Sequence, residues 1–295
     1  MAVALFKLPS WLKPHLYFNK GFADLSNLEL NDIRERICRF SDDEAEISVM
    51  IPAWNEENNI FRTLSSLAAS NTTRKVEIVV INNNSTDGTQ KVLDALSVRS
   101  YFEPQQGITF ARQLGLEKAK GKYHLCADSD TFYPPGWIDA MVAPLQADNE
   151  IVGVYGRYAF IPENAYDRCV FWIYERFAGI IIRLRKRNRE HINFLGFNMG
   201  FITQVGLDNG GFKVKNVRKF DNAIGSEYYV DESEDGRMAV NLMKTGKLKL
   251  VTDQKATVFT SSRRLIAEGG ILKAFKYRIK LHSKRLLEYL NGGKI

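Results

Sequence analysis

Residues 47–60 read ISVMIPAWNEENNI, and residues 76–89 read VEIVVINNNSTDGT. Each segment begins with a short apolar run typical of a buried strand and turns polar where that run ends. A third segment of this kind, YHLCA at 123–127, leads directly into Asp128-Ser129-Asp130. The three segments therefore predict three buried strands, each followed by a polar loop.

Helical stretches separate these strands. A helix is predicted after Asn58 or Asn59, a second after the loop at 82–87, and a third over Thr109–Lys120, where Gly121 is expected as a left-handed C-cap. Alternation of strand and helix predicts right-handed crossovers, and so an α/β fold whose mostly parallel sheet is covered by helices on both faces. Because ligands bind such sheets at the carboxyl ends of the strands, the three polar loops should converge on one crevice.

The composition narrows the class of protein. In 295 residues, 45% are hydrophobic and 25% charged, which excludes disorder for the bulk of the chain. No run of about 18 apolar residues suggests a membrane span, and residues 1–12 lack the apolar core of a secretory signal. Three cysteines without a CxxC pair argue against a disulfide framework or a zinc site and for a reducing compartment. We therefore expect a cytoplasmic protein.

The chain divides into three parts on these patterns. An N-terminal arm spans 1–46 with a short helix near Asn31–Phe40, one compact domain spans 47–262, and a basic amphipathic helix spans 263–295. The net charge is +7, and the last part alone holds nine Lys or Arg against two Glu. A second basic cluster ends the apolar helical stretch Arg168–Arg189.

These basic segments have two explanations. Each is either a helix packed in the fold with a solvated basic end, or a site of attachment to an anionic membrane surface, here the inner face of the membrane. Nucleic acid is disfavoured as a partner, because a pair of carboxylates at a strand end has no place in a surface that binds nucleic-acid phosphates.

Asp128 and Asp130 are the first candidates for chemistry. Two carboxylates at the mouth of a strand repel each other unless a cation lies between them, and a hard divalent ion that also holds a diphosphate meets that need. The alternative explanation is that Asp128 and Asp130 only form a turn before Pro134-Pro135.

Two more polar segments accompany this pair. In the loop at 82–87, Asn83 is as suited to contact a base or ribose as to form a turn, whereas capping of the next helix better explains Ser85, Thr86 and Asp87. Ser233-Glu234-Asp235-Gly236 precedes another helix, where helix capping and a general base are the alternatives.

Together these segments resemble the family-2 inverting glycosyltransferases. The similarity includes the first two segments quoted above and three others in the family's order: ITFARQLGLEKAKGKY leading to HLCADSDTFYPPGW at 108–137, GFNMGF with GGF at 196–212, and SEDGRMAVNLMKTG at 233–246. The resemblance implies the nucleotide-sugar-binding GT-A type of fold and a divalent metal, Mg²⁺ or Mn²⁺.

The resemblance also implies roles for particular residues. Asp128 and Asp130 would bind the metal and the diphosphate, and Asp235, with Glu234 beside it, would be the base. Asn198 and Gly211 would lie near the acceptor. The nucleotide-sugar would contact a larger set, namely Pro52, Ala53, Glu56, Glu57, Asn83, Ser85, Arg112, Asp128 and Ser129. Two positions depart from the family pattern, since Asn83 stands where Asp is usual and Asn241 where Arg is frequent.

The implied activity is transfer of a hexosyl or N-acetylhexosaminyl group from a nucleotide-diphosphate sugar to the hydroxyl of a glycan or lipid-linked acceptor, with inversion, in polysaccharide or glycolipid synthesis. The alternative is a non-catalytic protein, either a nucleotide-sugar-binding module, which would not require Asp235, or a membrane-peripheral scaffold, which would need neither acidic segment. A nucleotidyltransferase is disfavoured because Ile51 leads into Pro52-Ala53-Trp54 instead of a glycine-rich loop.

Overall fold

The structure is a computed structural model that describes residues 8–162, 165–214, 233–263, 265 and 270–284. Its strands are β1 Ile47–Ala53, β2 Val76–Asn82, β3 Arg99–Phe102, β4 Tyr123–Cys126, β5 Thr131–Phe132, β6 Ile151–Tyr155, β7 Arg157–Phe160, β8 Met199–Ile202, β9 Lys247–Leu250 and β10 Thr257–Thr260. Its helices are α1 Asn27–Cys38, α2 Ile60–Ala68, α3 Thr89–Ala95, α4 Ile108–Lys118, α5 Trp137–Ala147, α6 Ala165–Asn188, α7 Thr203–Asp208, α8 Glu234–Leu242 and α9 Ile271–Lys284.

Seven strands form the main sheet, in the order β3-β2-β1-β4-β8-β6-β9. The first four run parallel, and β8 is antiparallel to both of its neighbours. A small sheet, β5-β10-β7, stands beside it. The predicted α/β fold with a mostly parallel sheet is confirmed.

The apolar runs form buried strands because both faces of the sheet are covered. In β1, Ile47, Val49 and Ile51 belong to the cluster that packs under α1, α2 and α5, whereas Met50 points to the opposite face, against Ala111 of α4. Since successive side chains alternate between faces, a strand covered on both sides must be apolar throughout. This packing holds the polar strand ends at one edge.

The N-terminal segment is part of the fold rather than a loose arm. Leu12 and Ile33 are fully buried, and His15 Nδ1 lies 2.9 Å from Ser65 Oγ on α2. The predicted start of α1 at Asn31 is wrong: the helix begins at Asn27, capped by Ser26, whose Oγ accepts from the Glu29 N–H. The side chain of Glu29 in turn accepts from the Ser26 N–H, completing a capping box.

The predicted left-handed cap at Gly121 is also wrong. Helix α4 ends at Lys118, followed by Ala119 in an extended conformation. Gly121 instead lies against the first residues of β1, where a Cβ would come within 2.6 Å of Ile47 C and Ser48 N. The position needs glycine for close backbone approach rather than for a turn.

Helices α6 and α9 pack against each other through aromatic rings. The ring of Phe275 lies 5.5 Å from that of Tyr174 and 6.1 Å from that of Phe177. Ile173 and Ile180 on α6 remain about half exposed, so the apolar stripe predicted for this helix is only partly buried. In the described part of the chain, no helix is both long and apolar enough to cross a bilayer.

Candidate active site

The loops that follow β1 and β2 are joined by hydrogen bonds. The Asn55 N–H donates to Ser85 Oγ at 3.0 Å, and the Thr86 N–H donates to Asn55 Oδ1 at 2.8 Å. The Asp87 carboxylate accepts from the Thr89 N–H at 2.9 Å, at the first residue of α3. The capping expected of Ser85 and Thr86 is wrong, because the side chains of both bond to Asn55 instead. The two loops therefore lie side by side at the carboxyl edge of the sheet.

Glu56 and Glu57 have different surroundings. Glu57 accepts from the Gly88 N–H at 3.1 Å, at the start of α3. Glu56 instead turns toward Asp130, at the end of the DxD segment, with Arg263 between them. Of the two glutamates assigned to the nucleotide, Glu56 is therefore the one that lies near Asp130 of the DxD segment.

Asn83 is buried, and its side chain is engaged within the protein. Its amide N–H donates to the Gln105 carbonyl at 2.6 Å, and its oxygen accepts from the Gly107 N–H at 2.9 Å. An aspartate could not donate to that carbonyl, which explains an amide where the family usually has an acid. The structure gives Asn83 the task of holding the 103–107 loop in place of the predicted base contact.

Pro52, Ala53 and Ser129 contribute mainly backbone to the crevice. Pro52 and Ala53 form the buried end of β1, and the Ala53 carbonyl accepts from the Asn83 N–H at 2.8 Å. Ser129 is buried as well, and its carbonyl accepts from Thr63 Oγ1 at 2.8 Å. These contacts fix the loop that carries Asp128 and Asp130.

Asp130 shares a cation with Glu56. The Arg263 Nη2 donates to Asp130 Oδ2 at 2.9 Å and to Glu56 Oε1 at 2.8 Å. Burial, with the nearby charge of Asp130, raises the pKa of Glu56 against the opposing effect of Arg263. Asp130 thus shares the Arg263 guanidinium with Glu56, and its predicted sharing of a metal ion with Asp128 stays a prediction.

Asp128 faces a different cation, the buried guanidinium of Arg112 on α4. The Arg112 Nη2 donates to Asp128 Oδ1 at 2.9 Å, and its Nη1 donates to the Gly196 carbonyl at 3.2 Å. The Nε of Arg112 lies 3.4 Å from Asp235 Oδ1 and 3.8 Å from Glu234 Oε1. The Arg112 side chain is only 4% exposed. It therefore orients these carboxylates from within the protein and is too buried to contact a ligand itself.

Asp235 lies at the start of α8, where Ser233 caps the helix by accepting from the Gly236 N–H. One oxygen of Asp235 accepts from the Gly196 N–H at 2.8 Å, and the other, Oδ1, makes no hydrogen bond among the described residues, although the Arg112 Nε lies 3.4 Å away. Burial raises the pKa of Asp235 to about 6, with Glu234 adding to the rise and Arg112 opposing it. A carboxylate with this pKa is ionised at neutral pH and remains basic enough to take a proton.

The carboxylate oxygens at this site suit a hard divalent cation that also binds to phosphates of the substrate. Asp130 and Glu56 offer oxygens to one positive charge, and among the described residues no group of three or more His, Cys, Asp or Glu side chains forms a closed metal cage. Mg²⁺ and similar ions are held by one or two carboxylates together with substrate phosphates. Glu56 and Asp130 therefore fit such an ion.

The two residues assigned to the acceptor differ in their surroundings. Asn198 is 1% exposed, and both amide hydrogens go to carbonyls, those of Arg157 and Ala256. Its oxygen accepts from the Trp137 indole N–H, so the structure gives it a structural role in place of an acceptor contact. Gly211 has a φ of +62° and forms the turn after α7, which Asn241 supports by donating to the Gly211 carbonyl.

Sequence reasoning missed three contributors to this site. Arg263 was assigned only to a basic tail, although it follows a short β-branched strand, as Asp128 and Asp130 follow β4. Gly196 supplies a backbone donor to Asp235. The Tyr133 hydroxyl accepts from the Asp128 N–H and donates to the Phe197 carbonyl, both at 2.9 Å. The strand-end position of Arg263 was the signal that could have revealed it.

The chain is similar to known glycosyltransferases in sequence. It is 30% identical over 123 residues to the dolichol-phosphate mannosyltransferase of Saccharomyces cerevisiae, a match covering 39% of this chain and 45% of that protein. The match thus spans less than half the length of this relative.

Solved structures share the fold at low sequence identity. TarS 1–349 of S. aureus, in complex with UDP-GlcNAc, aligns with a TM-score of 0.53 at 17% identity, covering 73% of this chain and 58% of that one. The mannosyltransferase PcManGT of Pyrobaculum calidifontis, in complex with GDP-Man and Mn²⁺, aligns with a TM-score of 0.52 at 16% identity, covering 86% and 71%. This chain therefore has the fold of glycosyltransferases that hold a nucleotide-sugar, the GT-A type.

The family model for glycosyl transferase family 2 matches residues 48–205, more than half of the chain. The matched region runs from β1 past the DxD segment to α7, and so includes Glu56, Arg112, Asp128 and Asp130. The chain belongs to glycosyl transferase family 2.

Proposed function

We propose that this protein is a metal-dependent inverting glycosyltransferase, which moves a hexosyl or N-acetylhexosaminyl group from a nucleotide-diphosphate sugar to an acceptor hydroxyl. The observation that carries the proposal is the single guanidinium of Arg112, which contacts both Asp128 of the DxD segment and Asp235 at the start of α8. A donor-binding carboxylate and a carboxylate with a pKa near 6 are thereby held at one site.

Asp235 acts as the general base. Its ionised carboxylate takes the proton of the acceptor hydroxyl, whose oxygen attacks the anomeric carbon while the bond to the nucleoside diphosphate breaks. Attack from the side opposite the leaving group inverts the configuration. The Gly196 N–H and Arg112 hold the carboxylate in one orientation, which reduces the entropy lost in reaching the transition state.

Glu56 and Asp130 would hold the divalent metal, Mg²⁺ or Mn²⁺, with Asp128 beside it. When bound, such an ion neutralises negative charge on the departing diphosphate. Ser85 and the backbone of Pro52 and Ala53 form the side of the crevice nearest β2 and are assigned to the nucleotide.

The acceptor is proposed to be a glycan or a lipid-linked sugar in cell-envelope polysaccharide or glycolipid synthesis. Two features support an acceptor at a membrane. One is the named activity of the yeast relative, a dolichol-phosphate mannosyltransferase. The other is the pair of helices α6 and α9, on which half-exposed apolar side chains such as Ile180 and Leu272 stand among lysines and arginines. We therefore propose a cytoplasmic protein bound peripherally to the inner face of the membrane.

A donor screen tests the proposed function. The protein is incubated with Mn²⁺ or Mg²⁺ and UDP-, GDP- or dTDP-sugars, and release of the nucleoside diphosphate is measured with and without EDTA. We expect one class of donor to be hydrolysed or transferred, with full loss in EDTA and in Asp130→Ala. Binding of a donor that is never turned over, and an Asp235→Asn variant that behaves as the wild type, would identify a non-catalytic binding module instead.

A further inference from the structure

The Arg263 guanidinium lies between two site carboxylates. A single nitrogen, Nη2, donates to Glu56 Oε1 at 2.8 Å and to Asp130 Oδ2 at 2.9 Å. The side chains of these two acids are only 13% and 25% exposed, whereas that of Arg263 is 52% exposed. The arginine therefore supplies positive charge at the position where these oxygens would receive a metal ion.

The fold directs Arg263 to this position. Strand β10 pairs with β5, so that Thr260 lies opposite Thr131, directly after the DxD segment. The Ser261 N–H then donates to the Asp130 carbonyl at 3.2 Å, two residues before Arg263. The backbone is thus tied to the loop that carries Asp130, and the contact does not depend on a chance encounter of long side chains.

The arginine side chain has room to move while its backbone stays fixed. A cavity of about 180 Å³ adjoins the contact and is lined by Arg263, Asp130 and Arg62, among others. Because the Arg263 side chain is about half exposed, water can take over its hydrogen bonds when it leaves the two carboxylates. The diphosphate of a donor would be a second partner for this guanidinium, because the planar guanidinium group can donate two hydrogen bonds to a pair of phosphate oxygens.

We propose that Arg263 and the divalent metal ion alternate at Glu56 and Asp130, and that Arg263, once displaced, transfers to the diphosphate of the donor. The second half of this inference rests on the proposed function, since it requires a nucleoside diphosphate at the site. A metal ion between the two carboxylates repels the guanidinium, and the phosphates that arrive with the ion attract it.

The exchange couples metal binding to donor binding. In the free protein Arg263 competes with the ion, so the metal alone binds weakly. With the nucleotide present the same side chain contributes to binding, so metal and donor bind together. Arg263 is in this sense a positioning residue for the diphosphate, and its removal has opposite effects on the two affinities.

The test compares wild-type protein with Arg263→Gln in two titrations. Free Mn²⁺ is followed by electron paramagnetic resonance as protein is added without nucleotide, and UDP, GDP and dTDP are each titrated calorimetrically at saturating Mn²⁺. We expect Arg263→Gln to bind Mn²⁺ alone about tenfold more tightly and the preferred nucleotide about tenfold more weakly, since one charge-assisted contact is lost in each case.

Lys249→Gln is the matched control. It removes one positive charge from an exposed position on the edge strand β9 and should change neither affinity. If Arg263→Gln binds Mn²⁺ alone no more tightly than the wild type, the competition is refuted. If it binds the nucleotide as tightly as the wild type, the transfer to the diphosphate is refuted. A wild-type protein that binds none of UDP, GDP and dTDP refutes the proposed donor and with it the transfer, while the Mn²⁺ titration still decides the competition.

Discussion

Asp235 is the residue whose chemistry depends most on its surroundings. Its raised pKa, about 6, comes first from burial and next from the balance between Arg112 and Glu234. A base must be ionised to act, so protonation below that pKa removes activity. The rate should therefore fall as the pH decreases through about 6 and level off above pH 7.

Replacing Asp235 by Asn keeps the shape of the side chain and removes the base. Turnover should fall by roughly 10²–10⁴, the usual contribution of a general base, while donor affinity changes little. Steady-state kinetics with the preferred donor, together with nucleotide titration, measure the two effects separately. Glu234→Gln is the control for the neighbouring acid; if it is inactive and Asp235→Asn retains activity, the roles of the two residues are reversed.

The sequence could single out Asp128, Asp130 and Asp235 as candidates, because the position of an acid at a strand or helix end is visible locally; their roles stay predictions. It could not predict which partners those acids would find. Arg112 lies in the middle of a helix, and Arg263 comes more than 130 residues after the carboxylate that it contacts. Only the packing of α4 and the pairing of β10 with β5 bring these arginines to the site.

Asn83 is another residue whose hydrogen-bond partners could not be predicted from the sequence. Asn83 stands where the family usually has an acid, and the structural reason is a carbonyl that needs a donor. That carbonyl belongs to Gln105, in a loop whose position depends on β3 and α4. No local pattern in the sequence contains this information.

Among the elements, the three strands predicted from the sequence match β1, β2 and β4 to within two residues, whereas the other seven strands of the structure were not predicted. The apolar runs at 47–51 and 76–81 match β1 and β2, because a strand buried on both faces leaves an uninterrupted signal. Helix ends were predicted less well. A glycine two or three residues after a helix suggests a cap, and the contact between Gly121 and β1 is visible only in three dimensions.

Gly121→Ala tests this account of α4 and β1. The added Cβ would lie 2.6 Å from backbone atoms of Ile47 and Ser48, which cannot move without disturbing the sheet. We expect a loss of about 1–3 kcal/mol in the free energy of unfolding, as for other overpacked interiors. Urea denaturation followed by circular dichroism measures it.

Gly179→Ala on α6 is the matched control. No atom of the described residues lies within 4 Å of its added Cβ, so helix propensity should stabilise the protein by about 0.5–1 kcal/mol. Equal effects at the two glycines would contradict the close approach at Gly121.

The charge distribution of the whole molecule suggests that it would lie on an anionic membrane surface with helix α9 facing the lipid. Helix α9 carries Lys273, Lys276 and Lys280 at exposed positions and packs by its aromatic residues on α6. Each basic residue near an anionic bilayer contributes about 1 kcal/mol, and the attraction is screened over about 8 Å at physiological salt.

Co-sedimentation with phosphatidylcholine vesicles, with and without phosphatidylglycerol, measures this attraction. The wild-type protein should bind only the anionic vesicles and dissociate as salt increases. Replacing the three lysines by Gln should abolish binding at physiological salt, whereas the same change at Lys118, Lys122 and Lys249 should not. A wild-type protein that ignores anionic vesicles at low salt would contradict membrane attachment, and both helices would then serve the fold alone.

The insertion of β8 between β4 and β6 has a consequence for how the chain is made. Strands β1, β2 and β4 can pair as soon as they leave the ribosome, but β4 keeps one open edge until residues 199–202 follow. An apolar strand with unpaired amides and carbonyls is a template for a second chain. The interval between synthesis of β4 and of β8 is therefore when this polypeptide is most prone to self-association, and when a chaperone that shields a strand edge would help it most.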